Sequence, residues 1–247
     1  MGNKYGDIRF KWLADKGFNV LADKHQYAYM QSLWSPLDLV QAVFCSSRAG
    51  TGKTTLAVLA GVYEVEKGNY DKIIYVRNAV SIRDQGFLPG GLNEKEVPYM
   101  TPLIEAMDNA QPSLYYEWSG EKEVQNGGEE PKHKRVVATT SSFTRGITFK
   151  NAFVILDEAQ NMDLDELQAI YTRCSDTCKI VSIGCTRQVD NGKMKRYGGL
   201  TPFELYIEHF KGQKVTNHKL ETNYRGWFSN MADDIDDTVQ RLKYDKQ

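Results

Sequence analysis

The segment Ser47–Thr55, which reads SRAGTGKTT, combines residue types that bind phosphate groups. It is close to the pattern G-x-x-x-x-G-K-[ST], in which a strand leads through a glycine-rich loop into a helix. The backbone N–H groups of such a loop and the dipole of the following helix attract an anion. Lys53 is expected to reach the β and γ phosphates of ATP, and the Thr54 hydroxyl to bind Mg²⁺. The sequence therefore predicts a nucleotide site formed by Ser47, Arg48, Ala49, Gly50, Thr51, Gly52, Lys53, Thr54 and Thr55.

The first position of this pattern is Ser47 instead of glycine, a small residue that the loop can tolerate. A glycine-rich turn that binds nothing is the alternative interpretation. The flanking sequence argues against it, because an apolar run, VQAVFC, precedes the loop and a helical pattern, TLAVLAGVYEV, follows it.

A second chemical signal is the acidic pair Asp157–Glu158, which follows the apolar run AFVIL. The carboxyl ends of the strands are where open α/β sheets bind their ligands. Asp157 is suited to hold Mg²⁺ through its water shell, and Glu158 to orient or deprotonate an attacking water. Acidic residues also favour helix N-termini, so the pair could simply begin a helix. The phosphate loop upstream favours the catalytic interpretation.

Two glutamines lie close to these signals in the chain. Gln160 follows the acidic pair and could sense the γ phosphate, whereas Gln188 follows another strand and could relay the nucleotide state. For Gln188, an ordinary polar loop residue is the competing interpretation.

The elements that must position these residues alternate regularly along the chain. Short apolar runs alternate with helical patterns, which is typical of an α/β protein with a mostly parallel sheet covered on both faces. The predicted strands are Val40–Cys45, Lys72–Arg77, Arg135–Thr139, Ala152–Leu156, Lys179–Ile183 and Gln213–Leu220. The predicted helices are Lys53–Glu66, Glu94–Asn109, Leu164–Arg173 and Ser229–Leu242.

The domain organisation is predicted to be a single P-loop domain over residues 1–247. A charged stretch at about 117–134, with two adjacent glycines and a proline, is expected to be an exposed insertion. A helical segment is expected over about 226–247.

Composition restricts the class of protein. Of the 247 residues, 41% are hydrophobic and 26% charged, which is ordinary for a soluble globular protein. No membrane-spanning run or secretory leader is evident, so we expect a cytoplasmic protein. The net charge of −1 provides no global attraction to nucleic acid. The four cysteines lack a CxxC pair and are predicted to be buried thiols rather than metal ligands or a disulfide.

Several segments together resemble the PhoH family of ATPases, which is related to the single RecA-like core of superfamily 1 helicases. The similar segments are SSRAGTGKTT, NAVSIRDQGFLPGG (Asn78–Gly91), SFTRGITF (Ser142–Phe149), FVILDEAQN and His25-Gln26-Tyr27, upstream of the phosphate loop. The resemblance implies a three-layer, RecA-like P-loop fold and an ATPase that requires Mg²⁺. It also implies adenine recognition by Gln26 and γ-phosphate coupling by Gln188.

The resemblance has two departures. Cys185 stands where related proteins have an aspartate, which removes a possible hydrogen-bond partner near the nucleotide. The segment LETNYR (Leu220–Arg225) is more similar to an L-x-x-N-Y-R element of superfamily 1 helicases. Compact, divergent members of this kind are similar to those that bacteriophages carry. If this chain has such a source, we expect it in the cytoplasm of the host.

An arginine beside the transferring phosphoryl group is expected, because it stabilises the charge that develops there. Arg225 is the first candidate, followed by Arg187 and Arg145. We expect the chain to be too short for a second RecA-like lobe, so that the arginine would come from its own C-terminal segment or from a neighbouring subunit. The second route predicts a homo-oligomer, for which a ring is one form.

The family resemblance also implies helicase-like action on single-stranded nucleic acid, RNA in preference to DNA. Arg77 with Asn78, and Arg145 with Thr148, are the candidate backbone contacts. Phe87 and Phe143 are candidates for stacking on bases. Pairing of Arg77 with a carboxylate and packing of Phe87 in a core pocket are equally good explanations. The alternatives are a nucleotide-gated scaffold with little turnover and, less favoured, a kinase.

Overall fold

A computed structural model describes residues 7–78, 92–121, 124, 133–141, 148–185 and 196–244. These residues form a six-stranded parallel sheet with the strand order β3-β2-β4-β5-β1-β6. The strands are β1 (Ala42–Ser46), β2 (Lys72–Arg77), β3 (Val136–Thr140), β4 (Ala152–Asp157), β5 (Lys179–Gly184) and β6 (Val215–His218).

Helices precede, connect and follow these strands. They are α1 (Ile8–Asp15), α2 (Lys24–Leu33), α3 (Lys53–Glu66), α4 (Leu92–Ala110), α5 (Leu114–Ser119), α6 (Leu164–Tyr171), α7 (Pro202–His209), α8 (Trp227–Asp233) and α9 (Ile235–Tyr244). Short 3₁₀ helices cover Val20–Ala22 and Ala159–Asn161.

The sheet has an apolar core on each face, as the alternation of side chains along a strand requires. In β4, Phe153 and Ile155 pack in the core that includes α1 to α5, whereas Val154 and Leu156 pack in the core that includes α6 and α7. The three-layer, RecA-like P-loop fold predicted from the sequence is therefore confirmed.

Strand order brings the two chemical signals together. β5 lies between β1, which leads into the phosphate loop, and β4, which ends at Asp157. Ser46 is in register with Gly184 at the end of β5, and Arg77 is in register with Asp157. Because all the strands are parallel, the ends of β1, β2, β4 and β5 lie along one edge of the sheet.

Most predicted elements occur within a few residues of their predicted limits, and α3 and β2 have the predicted limits. The prediction of a single C-terminal helix over Ser229–Leu242 is wrong, because the chain forms two helices there, which separate at Asp234. The final strand is also shorter than predicted.

The predicted exposed stretch at 117–134 begins later than the sequence suggested. Its first residues belong to α5, where Trp118 is only 3% exposed because it packs in the core, with the Arg135 guanidinium carbon 4.0 Å from its ring centroid. Residues 122–123 and 125–132 lie outside the described part of the chain.

Candidate functional site

The phosphate loop has the backbone conformation that an anion site requires. Gly50 and Gly52 have φ angles of 77° and 80°, in the left-handed region that favours glycine. α3 begins at Lys53, and its N-cap residue Gly52 provides no side-chain hydrogen bond to the first turn. The N–H groups at this helix end can therefore serve a bound anion.

Ser47, the departure from the glycine of the pattern, has a clear structural role. Its side-chain oxygen accepts a hydrogen bond from the Leu220 amide at 2.7 Å, and its own amide donates to the Gly184 carbonyl at 3.0 Å. Since Ser47 is only 4% exposed, its hydroxyl attaches the start of the loop to the C-terminal segment.

Lys53 turns back over the loop that precedes it. Its ammonium group donates to the Arg48 carbonyl at 3.3 Å, and the Thr51 hydroxyl donates to the same carbonyl at 3.0 Å. These two bonds hold the loop curved around the lysine.

The phosphate loop and the end of β4 meet through side-chain oxygens. The Thr54 hydroxyl donates to Asp157 Oδ1 at 3.2 Å, and the buried Tyr75 hydroxyl donates to Asp157 Oδ2 at 2.5 Å. Burial, together with the neighbouring Asp157 carboxylate, raises the pKa of Tyr75 well above its ordinary value. Tyr75 therefore remains protonated and fixes the orientation of Asp157.

This pair of oxygen donors fits Mg²⁺. The cation prefers one or two carboxylate or hydroxyl ligands, with phosphate oxygens and waters completing its shell. Thr54 and Asp157 supply such a pair, and Asp157 is only 2% exposed. Within the described ranges, no group of three or more His, Cys, Asp or Glu side chains could hold a metal.

Glu158 adopts an unusual backbone conformation for a non-glycine residue, with a φ of 55°. Its amide donates to Asp157 Oδ1 at 3.1 Å. Its carboxylate accepts from Gln160 Nε2 at 2.6 Å and lies 3.9 Å from the Arg77 guanidinium. Strained residues of this kind cluster at functional sites, and here the strained residue is the predicted water-activating carboxylate.

Gln160 connects two strand ends. It is completely buried, donates to Glu158, and accepts from the Cys185 amide at 3.0 Å. The Cys185 backbone thus makes a hydrogen bond near the site. Gln160 acts as a bridge in this arrangement, a role that its sequence position did not predict. Gln188 lies outside the described residues.

Gln26 contacts the phosphate loop directly. Its amide nitrogen donates to the Thr51 carbonyl at 3.1 Å and would lie 3.3 Å from a Cβ atom placed on Gly52. Asp23 caps α2 by accepting from the amides of His25 and Gln26, which fixes the first turn from which Gln26 projects.

The segment after β6 lies against the phosphate loop. The Tyr224 amide donates to the Gly50 carbonyl at 2.8 Å. A Cβ atom on Gly50 would collide with the Asn223 side-chain oxygen and would lie 3.1 Å from Arg225 Cδ. The first candidate arginine, Arg225, is therefore beside the loop of its own chain.

Two further contacts, from the side chains of Tyr224 and Thr222 to Asp23, secure this segment. The Tyr224 hydroxyl donates to Asp23 Oδ2 at 2.9 Å, so the C-terminal segment also reaches α2. Burial opposes ionisation of Asp23, but hydrogen bonds from Thr222, the α2 amides and Tyr224 outweigh it and lower the pKa of this carboxyl.

Arg48, in the phosphate loop itself, pairs with the junction of α8 and α9. Its Nη1 lies 2.5 Å from Asp234 Oδ1 and its Nε lies 3.4 Å from Asp233 Oδ2. The loop is thus held from three directions, by α2, by the LETNYR segment and by the C-terminal helices.

Of the residues predicted to bind or hydrolyse the nucleotide, the described ones lie at or beside this edge of the sheet. Thr148, an expected nucleic-acid contact, is exposed and precedes Phe149, which pairs with Cys174 before the start of β5. Asn78 is an exception among the expected nucleic-acid contacts, because it is 4% exposed and its side-chain amide donates to the Asn161 carbonyl. Arg145, Arg187, Phe87 and Phe143 lie outside the described residues. Across the parts of the chain that the structure describes, no helix is both long enough and apolar enough to cross a bilayer.

Sequence reasoning missed Tyr75, Asn223 and the acidic partners of Arg48. Tyr75 stands in an apolar strand with no motif around it, and only the pairing of β2 with β4 places it near Asp157. The acidic residues Asp233 and Asp234 were visible in the sequence, but nothing local connected them with the phosphate loop.

Comparison with known proteins places these observations in a family. A family model described as PhoH-like protein matches residues 21–237. Protein PhoH2 of Bacillus subtilis is 31% identical over 191 residues, which is 76% of this chain and 41% of the relative. A PhoH-like protein of Mycobacterium leprae is 35% identical over 193 residues, 74% of this chain and 52% of the relative.

A PhoH-like protein of Bacillus subtilis is 34% identical over 157 residues, covering 63% of this chain and 46% of the relative. The chain therefore spans about half the length of the curated relatives it matches.

Proposed function

The chain belongs to the PhoH family of P-loop proteins, and from this premise we propose that it binds ATP with Mg²⁺ and hydrolyses it at the edge of the sheet described above. The observation that carries the proposal is the 3.2 Å hydrogen bond between Thr54 and Asp157, which joins the phosphate loop to the acidic end of β4. Phosphoryl transfer needs this combination of a phosphate cradle and metal-binding oxygens.

Each side chain of the proposed site has one task. Lys53 and the N–H groups of Gly50–Thr55 bind the phosphates, and Lys53 stabilises the charge that develops on the γ-phosphoryl group. Thr54 and Asp157 would hold Mg²⁺, which neutralises phosphate charge. Glu158 orients a water molecule and accepts its proton, and Gln160 keeps the Glu158 carboxylate in place.

Adenine selection is assigned to Gln26. The bond from its amide to the Thr51 carbonyl supports this assignment, because it places the side chain at the rim of the phosphate loop. The same bond means that the residue which reads the base would also restrain the phosphate cradle.

Two substitutions test the site. Lys53→Ala is expected to weaken ATP binding by at least about tenfold, since it removes the cation within the loop. Glu158→Gln is expected to retain binding and to lower kcat by about 10²–10⁴, the usual contribution of a general base. Affinity is measured with a fluorescent ATP analogue and turnover by phosphate release. Lys67→Ala and Glu208→Gln, at exposed positions, are matched controls. Undiminished hydrolysis by both site variants would contradict the proposal.

We propose further that hydrolysis is coupled to helicase-like action on single-stranded nucleic acid, RNA in preference to DNA. The supporting contact is Arg77, whose guanidinium lies 3.9 Å from the Glu158 carboxylate while 22% of its side-chain surface is exposed. A nucleic-acid phosphate that attracts Arg77 would change the surroundings of Glu158 and hence the rate of hydrolysis. Steady-state ATPase rates with and without poly-U or single-stranded DNA test this, and an unchanged rate with both would contradict it.

A nucleotide-gated scaffold is the second candidate, and one contact favours it. Arg48 joins the phosphate loop to the junction of α8 and α9, so nucleotide binding could alter how these helices are presented. A scaffold would bind ATP tightly, turn it over slowly and show no stimulation by nucleic acid.

The arginine beside the γ phosphate is assigned to Arg225 of the same chain, which its position against Gly50 supports.

A further inference from the structure

A cavity of about 450 Å³ opens at the edge of the sheet opposite the phosphate loop. Its lining comes from the segments that precede β1, β2, β4 and β5, and from the helices α1 and α3. Because the strands are parallel, residues before them lie at the amino ends of the sheet, whereas the phosphate loop and Asp157 lie at the carboxyl ends. The volume is within the range of ~300–1,000 Å³ that small-molecule sites occupy. The cavity is therefore a candidate binding site separate from the nucleotide site.

Glu64, in the last turn of α3, brings a buried carboxylate to the cavity. It is only 8% exposed, and its Oε2 atom accepts a hydrogen bond from Asn69 Nδ2 at 2.7 Å. Its Oε1 atom accepts no hydrogen bond from the residues that the structure describes. Burial raises the pKa of Glu64, although the Asn69 bond and the charges of Arg9 and Lys179 oppose the shift. A cationic donor in the cavity would bond to Oε1 and stabilise the carboxylate.

Arg9, on α1, brings a positive charge to the same cavity. Its Nε and Nη2 atoms donate to the Asp7 carboxylate, and its Nη1 atom donates to the Trp34 carbonyl at 3.1 Å. These bonds use three of the five N–H groups of a guanidinium and fix its orientation. The other N–H groups bond to none of the described residues, and 35% of the side-chain surface is exposed. They are therefore available to a carboxylate on a ligand.

The two charges restrict the ligand. Arg9 and Glu64 affect each other's pKa, yet within the described part of the chain the ion pair of Arg9 is with Asp7. A small molecule can therefore lie between them. A ligand with only negative charge would face the carboxylates of Glu64 and Asp176, and one with only positive charge would face the Arg9 guanidinium. A nucleobase would lack a free ring to stack on, because Arg9 and two aromatic rings already pack against Trp34.

We propose that this cavity binds a free α-amino acid with an apolar side chain. The ammonium group of the ligand donates to Glu64 Oε1, its carboxylate accepts from the available N–H groups of Arg9, and its side chain packs on Pro36 and Leu37. Such a zwitterion matches both charges with one small molecule, and charge-assisted hydrogen bonds of this kind are the strong ones.

Isothermal titration calorimetry without nucleotide tests the binding. The titrants are L-valine, L-leucine, L-methionine and L-phenylalanine. At least one of them should bind with a Kd on the order of 0.1–1 mM, which is usual for a ligand of about ten non-hydrogen atoms. The amine and the carboxylic acid that correspond to the tightest-binding amino acid each lack one charge. Each should bind at least about tenfold more weakly than the amino acid.

Two variants test the location. Glu64→Gln removes the charge but keeps an oxygen that can accept from Asn69, and Arg9→Gln removes the partner of the ligand carboxylate. Each should weaken binding at least about tenfold, with an unchanged circular dichroism spectrum. Glu66→Gln and Lys11→Gln are matched controls, since these exposed residues lie on the same two helices outside the cavity, and they should leave the affinity unchanged.

Three results would overturn the proposal. The first is that none of the amino acids binds at concentrations up to about 10 mM. The second is that the amine or the carboxylic acid binds as tightly as the amino acid, and the third is that both Glu64→Gln and Arg9→Gln leave the affinity unchanged. Because the titrations contain no nucleotide, failure of the amino-acid site does not imply failure of the ATPase site.

Discussion

The Tyr224 amide donates to the Gly50 carbonyl at 2.8 Å, so the C-terminal segment is hydrogen-bonded to the phosphate loop itself. The Ser47 hydroxyl accepts from the Leu220 amide, and Arg48 pairs with Asp233 and Asp234. The loop that would bind ATP is therefore shaped partly by residues from the other end of the chain. A substitution that removes one of these contacts of the C-terminal segment should therefore change the affinity for the nucleotide.

Gly50→Ala tests this dependence. The new Cβ atom would adopt an unfavourable φ of 77° and would collide with Asn223. Gly68→Ala is a matched control, because Gly68 has a φ of 75° but nothing lies within 4 Å of its Cβ position. We expect Gly50→Ala to weaken ATP binding at least about tenfold and Gly68→Ala to cost only the backbone strain, about 1–2 kcal/mol of unfolding free energy. Adding Asn223→Ala to Gly50→Ala should restore part of the affinity; equal affinities for the two glycine variants would contradict the contact.

Arg225→Ala tests the origin of the catalytic arginine. If Arg225 stabilises the γ-phosphoryl group of its own chain, kcat should fall by about 10³ with little change in ATP affinity. Mixing Arg225→Ala with Glu158→Gln then decides between the two routes. A same-chain arginine leaves the mixture inactive, whereas an arginine supplied between subunits would restore activity in mixed assemblies. Lys211→Ala, at an exposed position, is the control.

Gln26→Ala tests adenine selection. Because Gln26 is assigned to the base and also donates to the Thr51 carbonyl, the variant should lose affinity for ATP and should lose its preference for ATP over GTP. Competition of the two nucleotides against a fluorescent ATP analogue measures both effects. Gln31→Ala, an exposed position on the same helix, should change neither. Equal losses of ATP and GTP affinity, with the preference retained, would show that Gln26 acts on the loop alone.

Gln160→Glu tests the bridge between Glu158 and Cys185. The substitution keeps the size of the side chain, but it replaces the donor to Glu158 with a second negative charge. The like charge should displace the Glu158 carboxylate from its position and lower kcat by about 10². An unchanged urea-unfolding midpoint and an unchanged affinity for ATP separate this effect from simple unfolding. Gln168→Glu, an exposed position, should leave kcat unchanged.

The limits of several elements could be predicted because local signals mark them. The helix Lys53–Glu66 follows a glycine-rich turn, and the strand Lys72–Arg77 is a compact apolar run, so both were predicted with their observed limits. α1 and α2 were not predicted, although Asp7 and Asp23 are N-cap residues with visible sequence signatures. Polar and aromatic residues are mixed along these two helices, so the helical spacing of their apolar residues is not evident from the sequence.

The meeting of Thr54 with Asp157 could be predicted for a different reason. Each residue follows a parallel strand, and parallel strands place their carboxyl ends at one edge. The contacts of Tyr224 with Gly50 and of Arg48 with Asp234 could not be predicted in this way. They depend on the path of the chain after β6, which no residue pattern specifies, and on the break between α8 and α9 at Asp234.

Lys179 gives the last prediction, which concerns stability and pH. Its side chain is fully buried at the start of β5, where its ammonium donates to the carbonyls of Ser35 and Val40 at 2.9 and 2.5 Å. Burial lowers the pKa of Lys179 from 10.5 to about 8, although the Glu64 carboxylate opposes the shift. Below pH 8 the lysine is charged in both the folded and unfolded states, so burial of the charge lowers the free energy of unfolding by its full amount. Between about pH 8 and 10.5 the unfolded state binds more protons, and the free energy of unfolding should therefore rise with pH.

The contribution of this one group should reach about 3 kcal/mol over the whole window. Urea unfolding of the wild type and of Lys179→Met at several pH values from 7 to about 10 measures it as a difference, so that other titrating groups cancel. The free energy of wild type relative to Lys179→Met should increase with pH, whereas Lys214→Met, at an exposed position, should follow the wild-type curve. Parallel curves for wild type and Lys179→Met would mean that Lys179 titrates at its ordinary pKa despite its burial.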